Sequence, residues 1–263
     1  MSRSPLRYPG GKTRAIKILQ GFLPPDRQVL LSPFFGGGSF ELDCAGRGYE
    51  VHGNDLFGPL YTFWTVVQTR PEELKATVTA ALPVTKEKFL HYRETIRDLT
   101  DPLEIATAYF IVNRCSFSGS TFCGGYSAES AEKRLNASAI ERVGKVDLSH
   151  VTFSNLDAIE FLRQHPETEK TVVYADPPYF IPTYIYGKDG DMHEGFNHTG
   201  FAEAIRKRKD WILSYNDCPY IRELYAGCRI VTAEWAYGMD NGKKKSSEII
   251  ILPQDPGAGA PGP

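Results

Sequence analysis

The stretch TVVYADPPYF, residues 171 to 180, contains residue types from which chemistry can be expected. The carboxylate of Asp176 and the carbonyl of the Asp176–Pro177 peptide are two hydrogen-bond acceptors, and Pro177 and Pro178 stiffen the turn that carries them. Two acceptors that hold both N–H bonds of a nucleobase amino group favour a pyramidal nitrogen, whose lone pair then points at an electrophile. Tyr179 offers a ring face on which a base that has left its duplex can stack. The motif therefore predicts that Asp176, Pro177, Pro178 and Tyr179 activate an exocyclic amino group directly.

A second candidate site is the glycine-rich stretch SPFFGGGSF, residues 32 to 40, which follows an apolar run. Its three consecutive glycines allow a ligand to approach the backbone of a strand-to-helix turn closely. The dinucleotide-binding pattern G-x-G-x-x-G would require glycine at position 41, where the chain has Glu41, and an acid there disfavours a pyrophosphate. Asp55 ends the next apolar run and can accept hydrogen bonds from ribose hydroxyls. These residues predict a nucleoside ligand without phosphates.

The elements that must position these residues are short apolar runs that alternate with helical patterns. Two runs near the C-terminus, at 229–235 and 248–252, predict a terminal antiparallel pair. Five earlier runs predict buried parallel strands, at 29–34, 49–55, 151–157, 171–176 and 211–217. Four of these five strands carry an aspartate at or just past the carboxyl end, where doubly wound sheets bind ligands. The four are Asp55, Asp157, Asp176 and Asp217.

The predicted fold class is α/β. We expect a Rossmann-like, doubly wound, mostly parallel seven-stranded sheet with an antiparallel terminal strand. Between residues 58 and 148 the alternation stops, and the patterns predict an insertion of mostly helices. Residues 254–263, QDPGAGAPGP, contain almost nothing that could be buried, and this composition predicts a flexible tail.

The totals of the chain exclude several classes of protein. With 263 residues and a formal net charge of −2, it is long enough for a full core and cannot bind nucleic acid by bulk charge alone. The five cysteines are odd in number and lack C-x-x-C spacing, which favours reduced thiols in a cytoplasmic protein over disulfides or a zinc site. The N-terminus has no apolar run typical of a signal peptide, and no segment approaches the ~18 apolar residues of a membrane span.

Three motifs in order carry a resemblance to a known family. RYPGGK at residues 7–12, FFGGGS at 34–39 and DPPY at 176–179 resemble motifs of the Dam-type (alpha-group) S-adenosylmethionine-dependent DNA adenine-N6 methyltransferases. The resemblance covers nearly the whole chain except the tail. It implies a site-specific transfer of a methyl group from S-adenosyl-L-methionine to the N6 amino group of a flipped-out adenine in double-stranded DNA. It further implies that residues 1–57 and 149–253 form the cofactor-binding catalytic domain, and that 58–148 recognise the target DNA.

The same resemblance implies which residues contact the cofactor. Lys12 would lie near the methionine carboxylate, Asp55 would hold the ribose, and Asp157 would receive the adenine amino group. Asp176 would contact both the cofactor and the target base. The implied set is Tyr8, Gly10, Gly11, Lys12, Pro33, Phe35, Gly36, Gly38, Ser39, Asp55, Asp157 and Asp176.

DNA recognition has a weaker signal in the sequence. Family members that read a short palindrome carry a basic hairpin, which the Gly/Ser-rich residues 113–127 do not resemble. Asn113 and Arg114 are candidates either for DNA contact or for support of this loop, and residues 184–198 predict a long loop that closes over the site. The expected DNA contacts are Asn113, Arg114, Ser116, Ser118, Lys243 and Lys244.

We also expect no metal requirement, no membrane association and a monomer or weak dimer. The expected location is the cytoplasm, at the nucleoid of a bacterium or in a cell that carries a phage or mobile element.

Three alternatives stay open on the sequence. The same transfer to cytosine N4, or to adenine in RNA, keeps the chemistry, although Asp at the first motif position is associated in this family with adenine. A nicotinamide-dependent oxidoreductase uses the same kind of sheet, but Glu41 and the DPPY motif argue against it. A DNA-binding module without catalysis is disfavoured, because Asp176 and Tyr179 are both present.

Overall fold

The computed structural model describes residues 3–8, 10–180, 195–234 and 247–254. Strands in these ranges form one seven-stranded sheet: β1 Val29–Ser32, β2 Glu50–Asn54, β3 Val151–Ser154, β4 Thr171–Ala175, β5 Trp211–Asn216, β6 Arg229–Glu234 and β7 Ser247–Leu252. Their order is β3-β2-β1-β4-β5-β7-β6. β7 is antiparallel to both β5 and β6, and the other neighbours are parallel. The predicted doubly wound, mostly parallel sheet with an antiparallel terminal strand is confirmed.

Successive residues of the strands face opposite sides of the sheet and build two hydrophobic cores. Leu30 of β1 and Val172 of β4 belong to the core on one face, whereas Leu31 and Val173 belong to the core on the other. The central strands are apolar on both sides because helices cover both faces of the sheet. This explains why the strands were visible in the sequence as continuous apolar runs.

Helices surround the sheet. In the described ranges they are α1 Ile16–Gln20, α2 Ser39–Ala45, α3 Gly58–Thr69, α4 Pro71–Ala80, α5 Lys86–Thr95, α6 Pro102–Cys115, α7 Ala128–Arg134, α8 Ala137–Val143, α9 Ala158–Gln164, α10 His198–Ile205 and α11 Pro219–Leu224. The last three pack on the face of Leu31 and Val173. Helices α1 to α8 contribute to the core on the opposite face. None of these helices combines the length and the apolar character that crossing a bilayer requires.

Three of the helices between residues 58 and 148 begin at a polar residue that caps them. Thr85, Asp101 and Asn136 are N-cap residues whose side chains accept a backbone N–H from the first turns of α5, α6 and α8. Helix α6 is buried along most of its length, with α3, α4, α5 and α7 packed around it. These helices share one hydrophobic core with sheet residues such as Leu30 and Val51. The insertion thus extends the core of the sheet, and its proposed limits as a recognition domain stay a prediction.

The two predicted sites meet at the point where the strand order of the sheet reverses. β1 and β4 are neighbours, but the chain continues from β1 to β2 on one side and from β4 to β5 on the other. Connections that diverge in this way open a crevice at the carboxyl ends of the strands. The glycine-rich loop follows β1 and the Asp-Pro-Pro-Tyr motif follows β4, so both line this crevice.

Candidate active site

Lys12 is a buried cation at the centre of the site. It begins the short 3-10 turn Lys12–Arg14, and only 4% of its side chain is exposed. Its Nζ lies 2.8 Å from Asp176 Oδ2 and donates hydrogen bonds to Tyr179 OH at 3.0 Å and to the Gly10 carbonyl at 3.1 Å. Because an ammonium group has three N–H donors, these acceptors use its capacity. The structure therefore places Lys12 against the Asp-Pro-Pro-Tyr motif, and its expected contact with a cofactor carboxylate stays a prediction.

Asp176 is held from two sides at the carboxyl end of β4. Ser214 Oγ, on β5, donates a hydrogen bond to Asp176 Oδ1 at 2.8 Å, and Lys12 contacts Oδ2. Ser214 Oγ is also 3.3 Å from the hydroxyl of Tyr174, which precedes Asp176 on the same side of the strand. The Asp176 side chain is 25% exposed. Each of its oxygens has a second lone pair, so the carboxylate is fixed and can still receive a donor from the crevice.

Tyr179 is bound through its hydroxyl to a residue that the sequence analysis missed. The hydroxyl donates a short hydrogen bond to Glu248 Oε1 on β7. Glu248 is 1% exposed, and its Oε2 lies 3.6 Å from Lys12 Nζ. Burial raises the pKa of Glu248 against the opposing effects of Lys12 and the Tyr179 hydroxyl. Burial and the carboxylates of Asp176 and Glu248 raise the pKa of Tyr179 well above its usual value, so its phenol is neutral.

The end of the catalytic motif is held by β5. Asn216 Nδ2 donates a hydrogen bond to the Phe180 carbonyl at 2.9 Å, and Asn216 stands directly opposite Glu248 in the β5–β7 register. The Phe180 ring stacks on Tyr220 with 4.2 Å between the ring centroids. The prolines of the motif, Pro177 and Pro178, lie between this anchor and Asp176, as expected for a stiff turn.

The glycine-rich loop is shaped by Phe35 from below. Gly38 has φ of +66°, a left-handed conformation that precedes α2, and a Cβ there would lie 2.5 Å from Phe35 Cε1. Phe35 is 2% exposed and packs edge-on against Trp64, whose Nε1 donates to the Gly36 carbonyl at 2.9 Å. Phe35 was expected to shape the cofactor pocket. In the structure it is a buried support of the loop with its ring in the core, and its role in a cofactor pocket stays a prediction.

Tyr8 packs on the outer side of the same loop. A Cβ on Gly37 would lie 2.6 Å from Tyr8 Cβ, and one on Gly36 would lie 3.0 Å from Tyr8 Cε1. The ring is 38% exposed, so part of it faces the surroundings of the loop. Gly11 N donates to the Tyr8 carbonyl at 3.0 Å and closes the turn that leads to Lys12. The N-terminal motif and the glycine-rich loop, far apart in sequence, are therefore in contact.

The remaining predicted residues of the loop have supporting contacts. The carbonyl of buried Pro33 accepts a hydrogen bond from Asn54 Nδ2 at 3.1 Å, and the Ser39 hydroxyl accepts one from Thr13 Oγ1 at 3.2 Å. Asn54, which sequence reasoning missed, also binds Leu156 through both its amide nitrogen and its amide oxygen. This buried amide ties together the chain after β1, β2 and β3. A polar residue at the end of an apolar strand was the only signal for it.

Asp55 closes the glycine-rich loop from the β2 side. Its Oδ2 accepts from Gly36 N and its Oδ1 from Phe57 N, each at 3.0 Å. Burial raises the pKa of Asp55 to about 6, and these two backbone donors oppose the shift. Each oxygen retains a lone pair for another donor. An acid of this kind, beside a glycine cradle and the partly exposed Tyr8 ring, fits the ribose of a nucleoside cofactor.

Asp157 lies at the expected edge of the sheet, but part of it is already used. Its Oδ1 accepts from Ile159 N at 2.9 Å and from Glu160 N at 3.3 Å and so caps α9. The residue is exposed, and a contact with an adenine amino group stays a prediction for its other oxygen. Asp217, the fourth acid at this edge, pairs with Arg222 at 2.6 Å and lies outside the cluster.

Glu41 differs from its expected role. It is 3% exposed beneath the loop and accepts a hydrogen bond from Ser32 Oγ at 2.8 Å. Burial raises the pKa of Glu41 to about 8, so the side chain is mostly protonated at neutral pH. The sequence argument that an acid at this position disfavours a pyrophosphate stays a prediction. The absence of a third glycine still departs from the dinucleotide pattern.

The expected DNA contacts at the end of α6 are also corrected. Asn113 is fully buried and holds the N-terminal segment through Arg7 N at 2.9 Å and the Arg7 carbonyl at 2.6 Å. Arg114 is 5% exposed and donates to the carbonyls of Arg134 and Pro5. Buried side chains whose donors are used inside the protein cannot contact a phosphate or a base edge. Asn113 also donates to Thr121 Oγ1 at 3.0 Å and so supports the loop, which was the alternative interpretation, whereas Arg114 joins the end of α7 to the N-terminal segment.

Of the two serines that were expected to contact DNA, one is buried and the other is partly exposed. Ser116 is buried, and its hydroxyl binds the Asn113 carbonyl and Thr121 N. Ser118 is partly exposed with φ of +55°, and it stays a predicted DNA contact. Lys243, Lys244 and most of the predicted loop at 184–198 lie outside the described residues. His198, at the end of that loop, is buried with its Nδ1 2.6 Å from Tyr215 OH. The described residues contain no cluster of three or more side chains that could hold a metal ion.

Known proteins resemble this chain over most of its length. The sequence profile of the family described as D12 class N6 adenine-specific DNA methyltransferase matches residues 8–239. A DNA adenine methylase of Haemophilus influenzae is 22% identical over 242 residues, which cover 85% of this chain and 83% of the relative. A solved structure of precorrin 8W decarboxylase from Methanobacterium thermoautotrophicum covers 94% of both chains with a TM-score of 0.39 and 12% identity.

Proposed function

The chain belongs to the D12 class of N6 adenine-specific DNA methyltransferases, and from that premise we propose that Asp176 and Tyr179 hold the adenine whose N6 receives the methyl group. The proposal is supported by one observation above all. The Asp176 carboxylate is fixed by Lys12 and Ser214 at the edge of the crevice, yet a quarter of the side chain is exposed there. A fixed acceptor in this position can orient an amino group before the reaction, and it does not need to form a covalent bond.

The methyl donor we propose is S-adenosyl-L-methionine, whose sulfonium supplies an electrophilic methyl group. The residues around the glycine-rich loop fit its nucleoside part. Asp55 has acceptor capacity for the ribose hydroxyls, and Gly36 and Gly38 keep the loop free of side chains. The exposed part of the Tyr8 ring adds an apolar face beside them. Asp157 Oδ2 is the proposed partner of the cofactor's amino group.

The acceptor we propose is an adenine that has turned out of double-stranded DNA. Asp176 accepts one N6–H bond, and the Asp176 carbonyl accepts the other where the motif turns. The Tyr179 ring provides the stacking face that replaces the neighbouring bases. When N6 gains the methyl group it must lose a proton, and Asp176 is the carboxylate in reach to receive that proton and pass it to water. The site excludes bulk water on its inner side, where Lys12 and Glu248 are buried.

The biological setting follows from the acceptor. An enzyme that modifies DNA works where the DNA is, so we propose a cytoplasmic role at bacterial or phage DNA, either within a restriction-modification system or without one. We propose that the chain acts as a monomer or weak dimer.

The direct test is methyl transfer from labelled S-adenosylmethionine to unmethylated DNA, with RNA as a parallel acceptor. We expect labelled N6-methyladenine in DNA and a loss of at least ~1,000-fold in Asp176→Ala, since the variant removes the group that orients the amino nitrogen. Asp217→Asn is the matched control, because Asp217 ends the adjacent strand but pairs with Arg222. Transfer to RNA alone, to cytosine, or at an unchanged rate in Asp176→Ala would contradict the proposal.

A further inference from the structure

We infer that Glu248 is a positioning residue of the reaction: it fixes the Tyr179 ring through its hydroxyl and balances the charge of Lys12. The inference rests on the proposed function of Asp176 and Tyr179 and adds a residue from β7 that has no place in the three sequence motifs. Glu248 touches neither the base nor the cofactor in this account. It acts through Tyr179, which contacts the base, and through Lys12, which adjoins Asp176.

The contacts of Glu248 point to the active site. Its Oε1 accepts the Tyr179 hydroxyl, and its Oε2 lies 3.6 Å from Lys12 Nζ. The residues that follow it on β7, Ile249 to Leu252, are all apolar and buried in the two cores. A 1% exposed carboxylate at the start of such a strand costs desolvation free energy, which an apolar residue would not. A role in fold stability alone gives no reason for an acid at this position.

The Tyr179 hydroxyl is fully used by this arrangement. It accepts a hydrogen bond from Lys12 at 3.0 Å and donates its own hydrogen to Glu248. A hydroxyl with one donor and one acceptor partner in fixed directions cannot rotate, and the ring to which it belongs is fixed with it. The incoming base therefore meets a ring face of defined orientation, and the hydroxyl does not compete for the base's polar edge. Without Glu248 the hydroxyl would lose its acceptor and the ring would lose one of its anchors.

Lys12 gives Glu248 a second effect. The ammonium group stands between two carboxylates, at 2.8 Å from Asp176 and 3.6 Å from Glu248. Removal of the Glu248 charge leaves Lys12 with Asp176 as its remaining anionic partner among these contacts. Lys12 then pairs more strongly with the Asp176 carboxylate, which must also accept a hydrogen bond from the adenine amino group. Both effects act on the step in which the base is oriented, and neither acts on the binding of the nucleoside cofactor at Asp55.

The test is a double-mutant cycle of Glu248→Gln, Tyr179→Phe and the combined variant. Single-turnover methyl transfer to unmethylated DNA, the Kd for S-adenosylmethionine and the Tm are measured for each. We expect Glu248→Gln to slow transfer about 10- to 100-fold, the value of a charge-assisted hydrogen bond, with the cofactor Kd changed less than ~3-fold. The combined variant should lose less than the product of the two single losses, because both changes alter the contact between the Tyr179 hydroxyl and Glu248. Asp43→Asn is the control, since Asp43 is an equally buried acid that pairs with Arg47 away from Asp176.

The outcomes separate the inference from the proposed function. A wild-type chain that transfers no methyl group to DNA overturns the proposed function. Transfer by Glu248→Gln at the wild-type rate, or losses that multiply in the combined variant, overturns the inference alone. If Glu248→Gln does not fold, a measurement on the wild-type chain decides. In ¹³Cζ-labelled tyrosine spectra, the signal that Tyr179→Phe removes should be displaced from that of an exposed tyrosine at neutral pH, and a signal at the exposed position overturns the inference.

Discussion

At the scale of single residues, the proposed catalytic centre contains three ionic groups, and the proposed reaction contacts one of them. Asp176 is the only one of three ionic groups that reaches the crevice, because Lys12 and Glu248 are buried behind it in the described structure. The buried pair keeps the reactive carboxylate in one orientation and anchors the tyrosine beside it. Such preorganisation is the means by which the proposed site would accelerate transfer.

Asp55 leads to a prediction on pH. Its pKa in the free protein is raised to about 6 by burial, and its ionised form has the acceptor capacity for ribose hydroxyls. As the pH falls below 6 the carboxyl group takes a proton and loses acceptor capacity, so the affinity for S-adenosylmethionine should fall by up to ~10-fold per pH unit. Above about pH 7 the affinity should be constant. Calorimetric titration between pH 5 and 8 measures this.

Asp55→Asn serves as the reference for that prediction. Its side chain has the same size but does not titrate, so it should bind the cofactor weakly and with no dependence on pH across the interval. An affinity of the wild-type chain that is flat from pH 5 to 8 would show that Asp55 does not hold the ribose.

At the scale of elements, the crevice depends on how closely strand, loop and ring pack. Gly53 of β2 lies against Phe35, and a Cβ at that position would be 2.4 Å from Phe35 Cδ2. Phe35 cannot move away, because Trp64 and Phe153 pack edge-on against it with centroid separations of 5.2 and 4.9 Å. The ring in turn supports Gly38, so a disturbance on β2 reaches the cofactor loop.

Gly53→Ala is therefore expected to affect both stability and cofactor binding. Overpacking at this site should cost about 1–3 kcal/mol and lower the Tm by ~2–10 °C. The displaced Phe35 ring should also weaken the binding of S-adenosylmethionine. Gly58→Ala is the control, since a Cβ at Gly58 meets nothing within 4 Å at the start of α3. Thermal denaturation and calorimetric titration of both variants check the prediction, and equal behaviour of the two would refute it.

The sequence was sufficient for what is local and insufficient for what pairs at a distance. Apolar runs predicted the strands, and the acids and glycines at their ends predicted Asp55, Asp176 and the loop before α2. Glu248 and Ser214 reach Asp176 and Tyr179 only through the pairing of β5 with β4 and β7, which no spacing in the chain reveals. Arg114 was proposed for DNA because of its charge, but residue type does not show that a guanidinium is buried and bonded to backbone carbonyls.

At the scale of the whole molecule, the inserted helices and the sheet are not separate bodies. One hydrophobic core includes Leu30 and Val51 of the strands together with Phe63 and Phe110 of the insertion. The stacked rings of Phe63 and Phe110 join α3 to α6 with 5.7 Å between the centroids. Separation of the inserted helices from the sheet would expose apolar area of both parts to water, which costs ~25 cal/mol for each Å². Independent folding of residues 58–148 is therefore unfavourable.

Scanning calorimetry should accordingly show one cooperative transition with equal calorimetric and van't Hoff enthalpies. Phe63→Ala should lower the temperature of that whole transition, as loss of a buried ring costs about 3–5 kcal/mol, and should not split off a part of it. Leu56→Ala, at a residue that is 66% exposed, should leave the Tm nearly unchanged. Two resolved transitions in the wild-type chain would show that the insertion folds by itself.

The meeting of Lys12 and Glu248 around Asp176 has a consequence for synthesis of the protein. Lys12 precedes β1 and Glu248 lies on β7, so Lys12 is synthesised before Glu248. Until β7 has been synthesised and has inserted between β5 and β6, the Tyr179 hydroxyl lacks its hydrogen bond to the Glu248 carboxylate. A nascent chain, or a product of premature termination before this strand, then contains the three sequence motifs but lacks the Glu248 contact with Lys12 and Tyr179. If Glu248 has the role inferred above, such a product should transfer methyl groups more slowly than the chain that contains β7.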